Sequence, residues 1–382
     1  MRARFNHALR ELRGRARHRL GRAAARLLGR HTPAGRLQPD GIASVLICRI
    51  NARMGNAVLL TPLIKRLHEL LPRASIDIAI SYPHADDLLG RLPGVRRIIR
   101  FPYKGVQLAW RYVAALRRVR REHYDLVIDP SPHSTSGRIV LTIARARRRL
   151  GYTTRDQWAP LTHGVPIPAS ILHQAAQPAV LLSRALGAGD ELGTLQLWLP
   201  LERDEVEAGR AAIARALAAS GRRAESSQAF GFFAHATGLK TVDRGYWRAF
   251  LDAFAELEPD AVPLEILPSP SSAPTDARCA TLHIPSPRAL TAALAALRLF
   301  VSADTGPMHL ASIAVPTVAL FRASDPALFG PLKPADLALE VSRYTPHAAA
   351  ECCQRLWRRA ERVRDFERQG RDEAFAAVEP PE

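Results

Sequence analysis

Cysteine is scarce in this chain. Only Cys48, Cys279, Cys352 and Cys353 are present, with no Cys-x-x-Cys pair and no His-Cys cluster. That argues against a structural zinc and a disulfide framework, and it fits a reducing cytoplasm. Aromatic residues make up 6%, too few for a base-stacking surface. No zinc finger, RNP motif or recognisable helix-turn-helix is found, so no nucleic acid is expected as a partner. No apolar run reaches membrane-spanning length. The basic N-terminus lacks the continuous apolar core of a secretory signal. Acid is short relative to base: 54 Lys and Arg against 36 Asp and Glu leave a formal net charge of +18. An arginine-rich compositional bias accounts for part of that excess; the remainder implies an anionic partner, and with nucleic acid set aside that is an anionic lipid or a phosphorylated substrate.

What is present divides into four parts. Residues 1–41 form a basic amphipathic extension and linker. Phe5, Leu9, Leu12, Ala16, Leu20, Ala23 and Leu27 fall in steps of three and four, with arginines filling the rest of the helix surface. Such a helix suits an anionic bilayer surface; a solvated extension, or a helix packed on its own domain, is the blander reading. Residues 42–221 alternate strand and helix. Strands are expected at Ile42–Ile50, Ser75–Ile80, Val95–Ile99 and Asp125–Asp129. Helices are expected at Ala57–Leu71, Ala85–Leu92, Gln107–Glu122 and Gly137–Arg147, with an irregular stretch at Tyr152–Ile171 and further helices to Leu186 and at Glu202–Ser220. Gly221–Ser227 is the expected interdomain break. Residues 228–343 restart the alternation, and 344–382 read as a helical segment and polar tail. The fold class is therefore α/β, with ligands expected beyond the carboxyl ends of parallel strands.

The most informative stretch is Ser302-Ala303-Asp304-Thr305-Gly306-Pro307-Met308-His309. It lies between an apolar strand and a helix. Asp304 or Thr305 suits the N-cap, and Pro307 suits the first helical turn because its missing N–H would have no partner there anyway. The free N–H groups and positive dipole end of such a helix favour an anion, so a phosphate-bearing ligand is expected. The alternative is that Asp304 simply caps a helix.

Four stretches together resemble glycosyltransferase family 9, the ADP-heptose:lipopolysaccharide heptosyltransferase family. They are Val45–Ile50 through Met54-Gly55-Asn56 to Pro62; Asp125–Asp129 with Arg149-Leu150-Gly151-Tyr152; His235-Ala236-Thr237-Gly238 through Lys240 and Trp247; and Asp304–Ala311 with Val315–Phe321. The resemblance covers roughly 42–331. It implies a GT-B fold, two Rossmann-like doubly wound domains facing across a cleft, with the acceptor on the first domain and the nucleotide-diphosphate sugar, ADP-heptose above all, on the second. By position it implies that Thr237, Gly238, Lys240, Asp304, Thr305, Gly306, Met308 and His309 bind the donor, with Lys240 neutralising the diphosphate. Arg49, Arg53 and Gly55 would meet a lipid-linked glycan acceptor. It further implies an inverting, direct displacement by a cytoplasmic enzyme peripheral to the inner membrane. With no Asp-x-Asp motif in the sequence, neither a metal nor another cofactor is expected.

One departure stands out. The family places an aspartate directly after the glycine of the first turn, in the position of a general base; this chain has Asn56. A neutral amide takes no proton at useful pH. Three accounts stay open: another carboxylate such as Asp129 serves as base, Asn56 only orients the acceptor, or the protein is a non-catalytic GT-B scaffold that binds glycan or nucleotide. A second departure is the loop Ser269-Pro270-Ser271-Ser272, with Glu265 before it, where family members often carry an acid for the ribose; the nucleotide therefore need not be ADP.

Overall fold

In the computed structural model the described residues are 35–103, 109–153, 160–169, 173–188, 195–221 and 228–360. The basic N-terminal helix, parts of the irregular stretch before residue 172, the polar break at 222–227 and the tail after 360 lie outside them. The chain divides into two units, Met1–Trp198 and Leu199–Glu382.

The first unit is a six-stranded sheet with strands β1 (Ser44–Arg49), β2 (Ser75–Ile80), β3 (Val95–Arg100), β4 (His123–Asp129), β5 (Arg145–Thr153) and β6 (His163–Pro166), in spatial order β3-β2-β1-β4-β5-β6. Every pairing is parallel. The inner strands are unbroken apolar runs, Val45-Leu46-Ile47-Cys48 and Leu126-Val127-Ile128, because helices cover both faces and no residue there meets water. The helices are α1 (Met54–Val58), α2 (Thr61–Leu70), α3 (Ala85–Leu89), α4 (Ala109–Arg121), α5 (Thr135–Ile143) and α6 (Ala176–Ala185).

The second unit repeats the plan. Its strands β7 (Ala229–Phe233), β8 (Val262–Ile266), β9 (Ala280–Leu282), β10 (Leu299–Ala303), β11 (Thr317–Phe321) and β12 (Leu337–Glu340) lie in the order β12-β11-β10-β7-β8-β9, again all parallel. Renumbered within each unit, both sheets have the order 3-2-1-4-5-6. The helices are α7 (Arg203–Ala219), α8 (Arg244–Leu257), α9 (Pro287–Leu294), α10 (Gly306–Ala314), α11 (Pro326–Phe329) and α12 (346–360). One face of this sheet carries an aromatic core. Trp247, Phe250 and Phe254 of α8 meet Phe230 and Phe232 of β7, and Trp357 of α12 closes on Phe254. Trp247 thus packs its helix on the sheet.

Several expectations need correction. The helix expected from Ala57 to Leu71 is two helices. Pro62, at the first turn of α2, has no N–H to continue a single helix, and the Thr61 hydroxyl donates to Val58 O at 2.8 Å across the break. The arginines Arg145, Arg147, Arg148 and Arg149 lie on β5, not on the preceding helix, which ends at Ile143. β6 and β12 are additional strands. The division between domains, expected at 221–227, falls at Trp198/Leu199. Helix α7 belongs with the second unit because Gly209 sits flush on the backbone of Ala292 and Ala293 in α9. Arg288 of α9, buried, also donates to both Glu205 carboxylate oxygens, at 2.6 and 2.8 Å, and to Pro200 O at 2.6 Å.

The Gly209 contact yields a stability test. A Cβ there would stand 2.5 Å from Ala292 C and Ala293 N, both backbone atoms that cannot rotate away. Alanine is the better helix former by about 1 kcal/mol, yet Gly209→Ala is expected to destabilise the protein by about 1–3 kcal/mol through overpacking. Urea unfolding checks the sign; a stabilised variant would refute the close helix approach.

Candidate functional site

In the second unit the chain leaves β7 and β10, adjacent inner strands, at the point where the strand order reverses. The loop after β7 runs His235-Ala236-Thr237 into a 3-10 turn, Gly238–Lys240. Gly238 takes φ +65°, a left-handed conformation that costs glycine little. The loop after β10 is Asp304-Thr305, opening α10. The two loops meet: Lys240 Nζ lies 2.6 Å from Asp304 Oδ2, with Asp304 buried and Lys240 37% exposed. Two further groups complete the cluster. Ser324, just past β11, donates to the same Asp304 oxygen, and Lys240 Nζ stands 5.3 Å from the centroid of the Phe329 ring. Arg322 ties the same edge together by donating to Thr241 O at 3.0 Å.

Thr305 is the N-cap residue of α10, but its side chain makes no cap hydrogen bond; its hydroxyl donates instead to Ala303 O at 3.1 Å. Asp304 is likewise engaged elsewhere, so neither residue caps through its side chain. By helix geometry the N–H groups of Gly306 and Met308 lack intrahelical acceptors, and Pro307 has no N–H to offer. The turn thus presents backbone donors, a partial positive charge and a neighbouring ammonium group, which together suit an anion.

The structure separates the roles of the donor-site residues named from sequence. Thr237 and Gly238 are exposed. Met308 has no exposed surface and packs with Ala319 and Phe321, so only its backbone faces the turn. His309 is 4% exposed and lies inside the unit. Asp304, an anion, cannot itself attract a phosphate; what it does is fix Lys240. Glu265, which precedes the Ser269–Ser272 loop, is a buried β8 residue. It is held by the Thr275 hydroxyl at 2.6 Å and Thr275 N–H at 2.7 Å, with His235 Nε2 3.0 Å away.

The first unit builds the corresponding place after β1 and β4. Arg49, at the end of β1, donates to Asn56 Oδ1 at 3.3 Å and to the Ser131 hydroxyl beyond β4. Gly55 and Asn56 lie within α1, half-buried, and Arg53 is exposed. Asp129 does not stand open to an acceptor: it has no exposed surface, accepts from Ser131 N–H at 3.1 Å and lies 3.1 Å from Arg138 Nε. Arg138 in turn donates to Tyr152 O at 2.6 Å. In this arrangement Asp129 anchors the loop after β4; as the candidate base it would have to act from a fully buried position.

Ser131, Arg138, Ser324 and Phe329 escaped sequence reasoning. A sequence cue existed for the serines: each follows an inner strand by two or three residues, on the edge where doubly wound folds bind ligands. Among the described residues no group of three or more His, Cys, Asp and Glu side chains is arranged to hold a metal.

Comparison with known proteins finds a family model that matches part of the chain. Residues 286–357 match the model of glycosyltransferase family 9 (heptosyltransferase). The resemblance to glycosyltransferase family 9 is borne out. Those residues include β10, the Asp304 turn, α10 and Ser324. A glycosyltransferase family 9 structure from Veillonella parvula is similar, with TM-score 0.64 and 19% identity over 81% of this chain and 88% of that one. E. coli ADP-heptose lps heptosyltransferase II aligns with TM-score 0.63 and 17% identity over 84% of this chain and 100% of that one. E. coli heptosyltransferase WaaC, solved with ADP-2-deoxy-2-fluoro heptose, aligns with TM-score 0.60 and 17% identity over 81% and 98%. The fold class expected from the family 9 resemblance, GT-B built from Rossmann-like units, accords with these structures. No curated protein sequence matches the chain.

Asp129 gives a pH signature. Burial, outweighing Arg138, the Ser131 N–H and Arg49, lifts its carboxyl to about 6. The unfolded value is about 3.9, so between these pH values the folded chain retains a proton that the unfolded chain releases. The resulting stability is complete below pH ~4 and is lost as pH rises through ~6. In Asp129→Asn the fall in stability from pH 4 to 7 is expected to shrink by on the order of 3 kcal/mol. Urea unfolding at both pH values tests this; equal falls in the two proteins would show that Asp129 titrates normally.

Proposed function

We propose that this chain is an inverting glycosyltransferase. It moves heptose, or a related sugar, from ADP-heptose or another nucleotide-diphosphate sugar to a lipopolysaccharide core or similar lipid-linked glycan. The observation that carries this reading is the Lys240–Asp304 pair beside the N-terminus of α10. Sugar transfer builds negative charge on the departing diphosphate, and fixed donors aimed at that charge lower the barrier. Here Lys240 supplies the cation, Gly306 and Met308 supply N–H groups, and Thr237 supplies a hydroxyl from the exposed loop. His309 lies one residue further inside. Asp304 and Ser324 hold Lys240 in place.

On the acceptor side, Asn56 orients the attacking hydroxyl while Arg49 fixes the amide. Arg53 meets acidic groups of the acceptor, and Gly55 lets it approach the backbone. With Asp129 enclosed, the reaction leans on the leaving group more than on a base. The positive charge that the departing diphosphate needs is assigned to Lys240 and α10, without a metal. The enzyme is placed at the cytoplasmic face of the inner membrane, where a lipid-linked acceptor is found; among the described residues no helix is long and apolar enough to cross a membrane.

Incubation with ADP-heptose and a heptose-deficient acceptor tests the reading; no transfer and no ADP binding would overturn it. Lys240→Ala is expected to lower kcat about 100- to 1000-fold, the usual range for removing one preorganised charge-stabilising donor. A second reading, a non-catalytic glycan- or nucleotide-binding scaffold, is favoured by Asn56. Asn56→Asp distinguishes the two: transfer in the parent protein supports the enzyme, and transfer that appears only in the variant supports the scaffold.

A further inference from the structure

Among the described residues, helix α4 carries an outer face with no partner in its own unit. Its inner stripe, Tyr112, Ala115, Leu116 and Val119, packs into the first unit's core. The opposite stripe, at helical spacing, is Trp110, Val113, Arg117 and Arg121, all exposed, and the helix contains no acidic residue. Trp110 is 65% and Val113 43% exposed, while Tyr103, shortly before the helix, is 66% exposed. These are three of the five large hydrophobic residues exposed among the described residues. The Arg111 guanidinium stands 5.1 Å from the Trp110 ring centroid. At the other end, where α4 leads into β4, a cavity of about 550 Å³ is lined by Arg145, Arg147, Arg149 and His123. Its one acid, Asp125, accepts from Ala43 N–H and from the Ser44 N–H and hydroxyl and lies 3.9 Å from Arg147, while Arg149 donates to Leu141 O and Ala144 O, which leaves Arg145 and Arg147 as the cavity's exposed charge.

We infer that the outer face of α4 docks the protein on an anionic bilayer. Indole and phenol rings favour the boundary between headgroups and acyl chains. Arginines along the same face meet lipid phosphates, and the basic cavity takes a phosphate at the far end. A helix of 13 residues with this polarity lies in the surface and does not cross it. The face is a convex strip, not a groove that tracks a nucleic acid backbone. Trp110 and Val113 share the exposed face with Arg117 and Arg121, and Arg111 stands beside the Trp110 ring, so one strip offers apolar and cationic contacts together, as a membrane interface requires.

The inference stands apart from the transfer reaction and is tested without donor or acceptor. The full chain is sedimented with phosphatidylethanolamine–phosphatidylglycerol vesicles and with phosphatidylcholine vesicles. Binding is expected only to the anionic ones. Arg117→Gln/Arg121→Gln is expected to weaken it about thirtyfold, and Tyr103→Ala/Trp110→Ala to weaken it at moderate salt, with unfolding midpoints unchanged in both. Undiminished binding in both variants would overturn the inference and assign any attachment to residues 1–34. Vesicle binding absent while duplex DNA binds and loses affinity in the same variants would overturn it in favour of a nucleic acid. A protein that binds vesicles through α4 yet transfers no sugar would sink the proposed reaction and leave this inference standing.

Discussion

Both units depend on one topological constraint. In a parallel sheet of order 3-2-1-4-5-6, the chain leaves the first and fourth strands toward opposite edges. Right-handed crossovers then carry the connecting helices to opposite faces. The carboxyl ends of those two strands are therefore the place where neither connection covers the other. In the first unit the constraint brings Arg49 beside Ser131 and Asn56; in the second it brings Lys240 to Asp304. Arg49 and Ser131, like Lys240 and Asp304, are far apart in sequence, and no local propensity would have joined them.

The two places treat a buried carboxylate differently. Taking a carboxylate out of water costs several kcal/mol unless a cation and hydrogen bonds compensate. Asp129 meets this with Arg138, itself 5% exposed, whose guanidinium also serves Tyr152 O. Burial pushes Arg138 below its ordinary value even with Asp129 adjacent, so desolvation outweighs attraction within that pair. Neither partner can turn to a ligand without leaving the other unpaired. Asp304 is buried as well, but its cation reaches it from a 3-10 turn and remains 37% exposed. Lys240 can bond a diphosphate oxygen and keep Asp304 as its second partner, since an ammonium group has three donors.

Much of this was readable in sequence, and for a physical reason. Inner parallel strands are buried on both faces, so Val45–Cys48, Leu126–Ile128 and Leu299–Val301 appear as continuous apolar runs. The turn at Asp304 advertised itself through Pro307 and the strand before it. What stayed hidden depends on contacts distant in sequence. β5 begins with Arg145-Ala146-Arg147-Arg148-Arg149, charges that local pattern assigns to a helix face; only its place between β4 and β6 makes it a strand. The allocation of α7 follows from Gly209 fitting a backbone some eighty residues ahead. The burial of Asp129 followed from Arg138, which sequence could not place beside it, whereas Lys240 and Asp304 were both named without any local cue that they touch.

The amide at position 56 now has a structural context. Arg49 bonds Asn56 Oδ1 without having its charge cancelled; a carboxylate at that position would form a charge-assisted pair and neutralise it. Asn56 therefore leaves the charge of Arg49 in place, with the buried Asp129 carboxylate as its nearby counter-charge, and Arg53 stands exposed. A cationic turn holds an acidic acceptor more firmly than a neutral one, and it lowers the cost of negative charge on a hydroxyl that is losing its proton. It cannot receive that proton. On the proposed reading, a fixed positive field stands where the family that the chain resembles places a proton acceptor, and transfer would draw most of its rate from the turn at Lys240 and Asp304.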